Sequence, residues 1–449
     1  MSPEPAAVAA KAVPATPEAK ETVVARDVEA VSKPAPVLPE AGAFGPAYFA
    51  VESKGVYRLE GGEFSRVKSG PETLIKQMSI GADGGAYMLT REGIMALDGA
   101  AAKMVAKTSY EKTGNVDAFA VTAAGEVWVA GYNGVGHYAG KTWTVMDKAT
   151  LGEGVTLLRG VAVDREGRVW VASSNALHYK EPGADAWSEA DVSGATSRKP
   201  FFKGVGFDRS TGGVVAVASS RVLSVTGPDA IKAIAMPDDA LASFELLSFA
   251  SNGLGAVKTG AKGVARLEPG GSVTSYAMDD DFLGTRVVAL TVDGQGRVWV
   301  ASELGVSVVG PGDARARWMM GSVPEIAGKV KGVLVVGAGP ALPDVGAQKT
   351  GGLRGIIVVD GKPIADAEIE ICPEPSPRIK ATPCEDSPIK ASGKTDANGT
   401  FAFADVPVGA YGVGVKVGEA WKITFGGAYG AKMNEGDDFD IGTLKFTTK

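Results

Sequence analysis

A short signature recurs along most of this chain, and it restricts the fold more than any other feature of the sequence. Its clearest copy occupies residues 285–309, TRVVALTVDGQGRVWVASELGVSVV. It reads as strand, tight turn, strand, tight turn, strand. Val287–Val292 is an apolar run suited to a strand buried on both faces. Asp293-Gly294-Gln295-Gly296 supplies the turn, because glycine reaches positive φ without a Cβ clash. Val298-Trp299-Val300-Ala301 is the second strand, and Gly305-Val306 opens the third. Anchored on that opening pair, copies fall at Gly55-Val56, Gly93-Ile94, Gly134-Val135, Asn175-Ala176, Arg221-Val222, Gly263-Val264 and Gly305-Val306. The steps are 38, 41, 41, 46, 42 and 42 residues. Spacings of about 40–45 residues belong to four-stranded propeller blades.

The ends of the repeat region predict how such a ring closes. Arg159-Gly160-Val161 and Lys203-Gly204-Val205 start two innermost strands. Lys331-Gly332-Val333 repeats the pattern, yet no Trp-bearing second strand follows it. The first unit has the converse defect: AYFAV, GVYRLEGG and EFSRV are present, with no innermost strand before them. Residues 329–336 therefore pair beside Ala47–Val51 in a composite blade, which removes open sheet edges. Aromatics in the fourth strands (Phe64, Trp143, Trp187, Trp318) fit the same scheme. The expected fold is all-β: a seven-bladed propeller with a composite closing blade over 43–343, then a β-sandwich. A length of 449 residues with 61 glycines suits a turn-rich repeat array better than one ordinary domain.

The repeats at 163–177, VDREGRVWVASSNAL, and 292–306, VDGQGRVWVASELGV, resemble the two-component-regulator type of propeller repeat, D-x-x-G-x-x-W-V followed by G-V/L. The resemblance is strong in blades three, four and seven, while two, five and six depart from it. The C-terminal segment, 353–449, has Gly355-Ile356-Ile357, Pro363-Ile364-Ala365-Asp366, Thr395-Asp396-Ala397-Asn398-Gly399 and Val406-Pro407-Val408-Gly409-Ala410-Tyr411. These resemble a carboxypeptidase-regulatory-like (transthyretin-like) β-sandwich. That resemblance implies an accessory module of exported proteins with no catalytic residues. Residues 344–352 read as a linker. Residues 1–42, rich in Pro, Ala and Glu, read as an extended linker that cannot offset its chain entropy by burial.

Chemistry-bearing patterns are few. Residues 333–342, VLVVGAGPAL, mimic a dinucleotide fingerprint, but the third glycine is replaced by Leu342 and Pro343 cannot open a helix cleanly, so no cofactor is expected. The only histidines, His137 and His178, take the same place in neighbouring repeats, which predicts packing residues held a blade apart and neither catalysis nor a metal site. Streptogramin-lyase-like propellers resemble this architecture but depend on a catalytic histidine and a metal. Cys372 and Cys384 are separated by eleven intervening residues, outside C-x-x-C spacing. A disulfide would pin the proline-stiffened loop between them and add about 2–3 kcal/mol; two free thiols are the alternative. The disulfide implies an oxidising compartment.

The net charge is −6 and no segment has a basic surplus, which disfavours nucleic acid as a partner. No run approaches a membrane span. The first residues lack a signal-peptide core, which leaves a cytosolic protein or one whose export signal and lipid anchor lie upstream of Met1. Asp238-Asp239 and Asp279-Asp280-Asp281 fall in connections between blades, beside Ala216 and Ala256, where five other repeats carry Phe49, Tyr87, Trp128, Trp170 and Trp299. Concentrated charge beside those alanines predicts a docking patch for a basic protein partner, a glycan being the other ligand class; solvated loop charge and a cation site are the alternatives for the two clusters. The leading expectation is a non-enzymatic scaffold of the bacterial cell envelope. An extracytoplasmic sensing propeller comes second and a propeller lyase or hydrolase third.

Overall fold

The structure is a computed structural model that describes residues 42–448 except 73, 109–112, 197–199, 238–243, 261–262, 278–285, 303–304, 313–314, 320–322, 324–325, 327–329, 343–349, 374, 377–380, 386, 388, 425–430 and 434–435. Asp238, Asp239, Asp279, Asp280 and Asp281 lie outside the described residues, as does the N-terminal linker apart from Gly42.

Among the described residues between Ala47 and Val335, seven four-stranded antiparallel sheets follow one another. Their innermost strands are Val330–Val335, Ile75–Ile80, Val116–Val121, Leu158–Val163, Phe202–Phe207, Phe244–Phe249 and Val287–Val292, here numbered as sheets one to seven. Buried clusters bridge each neighbouring pair of sheets. In one of them Phe202 packs with Trp170, Leu177 and Leu223 across sheets four and five. Another joins sheets seven and one through Phe49, Leu59, Trp299, Ala301 and Val333. Each sheet is thus buried on both faces by its neighbours, which is why the strands read as apolar runs with little alternation.

Closure takes the form the sequence implies. Val330–Val335 pairs antiparallel with Ala47–Val51, with Ala47 opposite Val335 and Phe49 opposite Val333. Phe49, Phe64, Trp299 and Trp318 meet there, ring centroids 5.7–6.3 Å apart. The glycines of the fingerprint mimic form turns after the closing strand. Arg297 Nη2 donates to Ala338 O and Pro340 O, both at 2.9 Å, so this turn is filled by protein. Glycine is required where the third strands begin. A Cβ on Gly93 or Gly134 would stand 2.2 Å or 2.0 Å from a carbonyl oxygen of the fourth strand.

Two expectations need correction. The anchor of the fourth repeat is one residue too early: Trp170 lies opposite Tyr179, as Trp128 lies opposite His137, so Ala176-Leu177 corresponds to Gly134-Val135. His137 and His178 therefore do not share a place, because one residue of slip reverses which face a side chain takes. The linker of 344–352 ends earlier than expected: Thr350–Val359 is a strand whose Thr350 lies opposite Pro407.

The C-terminal residues form two sheets. In one, Thr350–Val359 pairs with Thr400–Pro407 and, in parallel, with Asp438–Phe446. In the other, Glu368–Cys372 lies between Ala391–Lys394 and Gly409–Val417. Leu353, Ile369, Phe401, Tyr411 and Val413 share one core between them. Cys372 and Cys384 are joined by a disulfide.

Candidate functional site

Each innermost strand carries an extra residue near its start. In sheet two, Ile75 lies opposite Thr90 and Gln77 opposite Leu89, which leaves Lys76 without a counterpart. The same irregularity singles out Asp117, Arg159 and Lys203 in sheets three to five. In sheets six, seven and one it singles out Leu246, Val288 and Lys331. A bulge kinks the strand and re-aims its side chain, and such sites recur at barrel rims. These seven positions surround one mouth of the central channel. Lys76, Leu246, Val288 and Lys331 line a cavity of about 100 Å³ there.

The same mouth collects apolar surface. Five large hydrophobic side chains near it are exposed: Leu74 (60 %), Tyr132 (59 %), Leu157 (39 %), Phe201 (42 %) and Leu246 (41 %). Leu74, Leu157 and Phe201 each immediately precede an innermost strand, and Tyr132 sits in the turn between the second and third strands of sheet three. Three cations lie over two of these rings. Lys148 Nζ is 4.5 Å from the Tyr132 centroid, Lys203 Nζ is 5.0 Å from that of Phe201, and the Arg159 guanidinium carbon is 5.7 Å from it. A groove of about 550 Å³ opens beside Leu74, Lys76, Arg91 and Asn115.

The opposite mouth, where the innermost strands end, is built from hydrogen-bonded turns. Asp293 accepts from the backbone N–H of Gln295 and of Arg297 (both 3.0 Å), from Arg297 Nε (2.6 Å) and from Trp299 Nε1 (2.8 Å). Burial pushes its carboxyl above the usual range, opposed by the Arg297 charge and these hydrogen bonds. Asp164 repeats the arrangement with Arg168 and Trp170, with Nε1 at 2.9 Å. Asp208 accepts from Ser210 and Thr211, and Asp83 from Gly85 and Tyr87. Arg209 reaches to the carbonyl of Gly81, in the turn that follows the innermost strand of sheet two. These carboxylates are thus taken up in their own turns; a cavity of about 440 Å³ opens beside Asp208, Thr211 and Glu268 at this end, and Phe44, beside the end of the closing strand, is exposed.

Other sequence candidates fall elsewhere. Ala216 and Ala256 are fully buried. Opposite Ala256 stands Arg266, itself buried, which donates to Gly296 O (2.7 Å), Tyr276 Oη (2.9 Å) and Glu268 Oε1 (2.7 Å). A buried cation with its partners thus occupies sheet six where other sheets place an aromatic. His137 stacks on Trp128 with centroids 4.0 Å apart and bonds Glu126 at 3.0 Å. His178 is buried, its Nε2 3.1 Å from Ser173 Oγ, and burial lowers its pKa below the ordinary value. Among the described residues, no group of three or more His, Cys, Asp or Glu is placed to hold a metal ion, and no helix is long and apolar enough to cross a membrane.

The bulged mouth was not singled out from the sequence, although Arg159-Gly160, Lys203-Gly204 and Lys331-Gly332 were visible as strand markers. A basic residue before glycine at the same point of three repeats was the available signal.

No protein-family model matches the sequence, and no curated protein matches it. Solved structures similar to it include the extracellular domain of a hybrid two-component system from B. thetaiotaomicron, at 12 % identity and TM-score 0.43. That match covers 57 % of this chain and 34 % of the other, so this chain spans about a third of its length. A streptogramin B lyase is similar at 13 % identity over 61 % of this chain and 87 % of that one, TM-score 0.44. PorZ, a surface component of the type-IX secretion system of Porphyromonas gingivalis, is similar at 12 % identity over 86 % and 57 %, TM-score 0.40. At these identities the likeness concerns the fold alone.

Proposed function

We propose that this chain is a non-enzymatic binding scaffold of the bacterial cell envelope that docks a protein partner on the bulged mouth of its propeller. The observation that carries this reading is the asymmetry of the two mouths. At one mouth the turn carboxylates Asp83, Asp164, Asp208 and Asp293 are bonded within the fold, while the other leaves Leu74, Tyr132, Leu157, Phe201 and Leu246 exposed, with cations over Tyr132 and Phe201. Exposed apolar side chains gathered at one end of a fold offer a docking surface, and aromatic and arginine side chains dominate binding energy at such surfaces. The Cys372–Cys384 disulfide fits an oxidising compartment. In this proposal the C-terminal pair of sheets is an accessory module of the carboxypeptidase-regulatory-like kind. Asp238, Asp239, Asp279, Asp280 and Asp281 precede the innermost strands of sheets six and seven in the chain, and they serve as a second contact for basic groups of the partner.

The test is capture of a partner from envelope fractions by the immobilised chain, read by mass spectrometry. Leu157→Ser with Phe201→Ser should abolish specific capture, while Lys103→Gln on the outer strand Ala101–Lys107 should leave it intact. Equal capture by both variants would sink the reading.

A further inference from the structure

The four cations of the bulge ring differ in what they touch. Lys76 Nζ donates to Val116 O at 2.6 Å, to Asn115 Oδ1 at 2.5 Å and to Asp117 Oδ1 at 3.4 Å. Lys331 Nζ is 3.7 Å from Glu52. Arg159 and Lys203, in adjacent sheets, make no hydrogen bond or salt bridge among the described residues and lie over Phe201 instead. Glu245 feels the Lys203 charge, but its carboxylate is already bonded to Lys258 Nζ at 2.9 Å. Leu157, beside them, is linked to the same corner: Ser174 N donates to Leu157 O, and Phe202 N donates to Ser174 O.

We infer that Arg159, Phe201 and Lys203 form a recognition site for an extended acidic peptide segment, which takes one carboxylate between the two cations and packs an adjoining apolar side chain on Phe201 and Leu157. The inference rests on the docking reading above and names the chemistry of the partner. The attraction of a cation to an aromatic face is electrostatic and does not use up all its N–H donors. Arginine offers a carboxylate two parallel donors, and lysine adds a point charge. Both long side chains are partly ordered by the ring before anything binds, which lowers the entropic cost of association. The apolar half of the site decides the class of ligand. A neutral sugar would stack on Phe201 and leave both cations unused. An anionic glycan would use the cations but gain little from the aliphatic edge of Leu157. A peptide with a carboxylate beside an apolar side chain uses all four residues.

Fluorescence anisotropy with short fluorescein-labelled peptides tests this on the full chain. Peptides built from Glu and Leu should bind at least about tenfold more tightly than peptides of Glu and Ser or of Lys and Leu. Arg159→Gln with Lys203→Gln should weaken the Glu–Leu peptide about tenfold and flatten its salt dependence. Phe201→Ser should weaken it several-fold with the salt dependence kept, and Lys103→Gln should change nothing. Unchanged melting temperatures would show that the variants are folded. Equal affinity for the Glu–Leu and Lys–Leu peptides, or indifference to the double variant, overturns the inference. Tighter binding of a sulfated polysaccharide through the same two cations also overturns it and assigns the site to a glycan. If no peptide binds while envelope capture still depends on Leu157 and Phe201, the acidic peptide falls and the docking face stands. If capture ignores those residues, the docking reading itself falls.

Discussion

The two mouths of the ring are made by the same strands read from opposite ends, and they treat polar groups in opposite ways. Where the innermost strands end, Asp164 and Asp293 each gather an arginine, a tryptophan N–H and a backbone N–H. Where they begin, bulges turn Arg159 and Lys203 outward beside exposed Leu157 and Phe201. An unpaired polar group is costly only when buried. The first mouth therefore contributes to folding, and the second should tolerate change at Arg159 and Phe201 without unfolding the ring.

That contrast can be broken by experiment, and the largest effect belongs to the mouth of hydrogen-bonded turns. Asp293→Ala leaves the buried Arg297 guanidinium and the Trp299 N–H without their shared acceptor. It should lower the free energy of denaturant unfolding by about 3–5 kcal/mol. A change below the error of the measurement would mean that this end holds nothing together. Removal of the disulfide by Cys372→Ser with Cys384→Ser comes next, at about 2–3 kcal/mol. Limited proteolysis should place that loss in the C-terminal sheets and leave both mouths resistant.

Beneath the bulged mouth, His178 adds a smaller, pH-dependent effect. Burial depresses its folded pKa, so below its unfolded value the unfolded chain binds more protons than the folded one. Stability should therefore fall as the pH drops through about 6.5, by at most about 1.4 kcal/mol per pH unit. His178→Leu should remove that dependence, and a slope that survives the substitution would assign it to other groups. The smallest effect is expected at the bulges. Arg159→Gln and Phe201→Ser should each change unfolding free energy by less than about 0.5 kcal/mol. A larger loss would make this mouth structural and erase the contrast.

The fold was legible because each repeat carries its own turn chemistry and apolar strands, so element type followed from local residues. Closure was legible because Lys331-Gly332-Val333 stands where no complete unit follows. Finer placement was not. The slip at Asn175 arose because the number of residues in a turn does not reveal which residue pairs across it. The candidate site was hidden for a similar reason: a bulge is a relation between two strands, and nothing at Lys76, Arg159 or Lys203 alone announces a missing counterpart. Charge runs such as Asp279-Asp280-Asp281 draw the eye in a sequence. The exposure of Phe201 beside the fully buried Phe202 requires the fold. Arg266 opposite Ala256 shows the same limit, since a cation filling an aromatic's place has no local mark.

The strand Val330–Val335 that completes the first sheet has a consequence for synthesis. Ala47–Val51 emerges from the ribosome early, and its final neighbour on the channel side is the last strand of the ring to be made. At about 5–20 residues per second, that edge waits on the order of tens of seconds for its partner. All five of its residues are buried in the finished sheet, AYFAV with no charge among them. During that interval it is a sticky, unpaired edge of the kind that recruits the wrong strand from another chain. Until the ring shuts, this segment's channel-side edge stays open to such pairing.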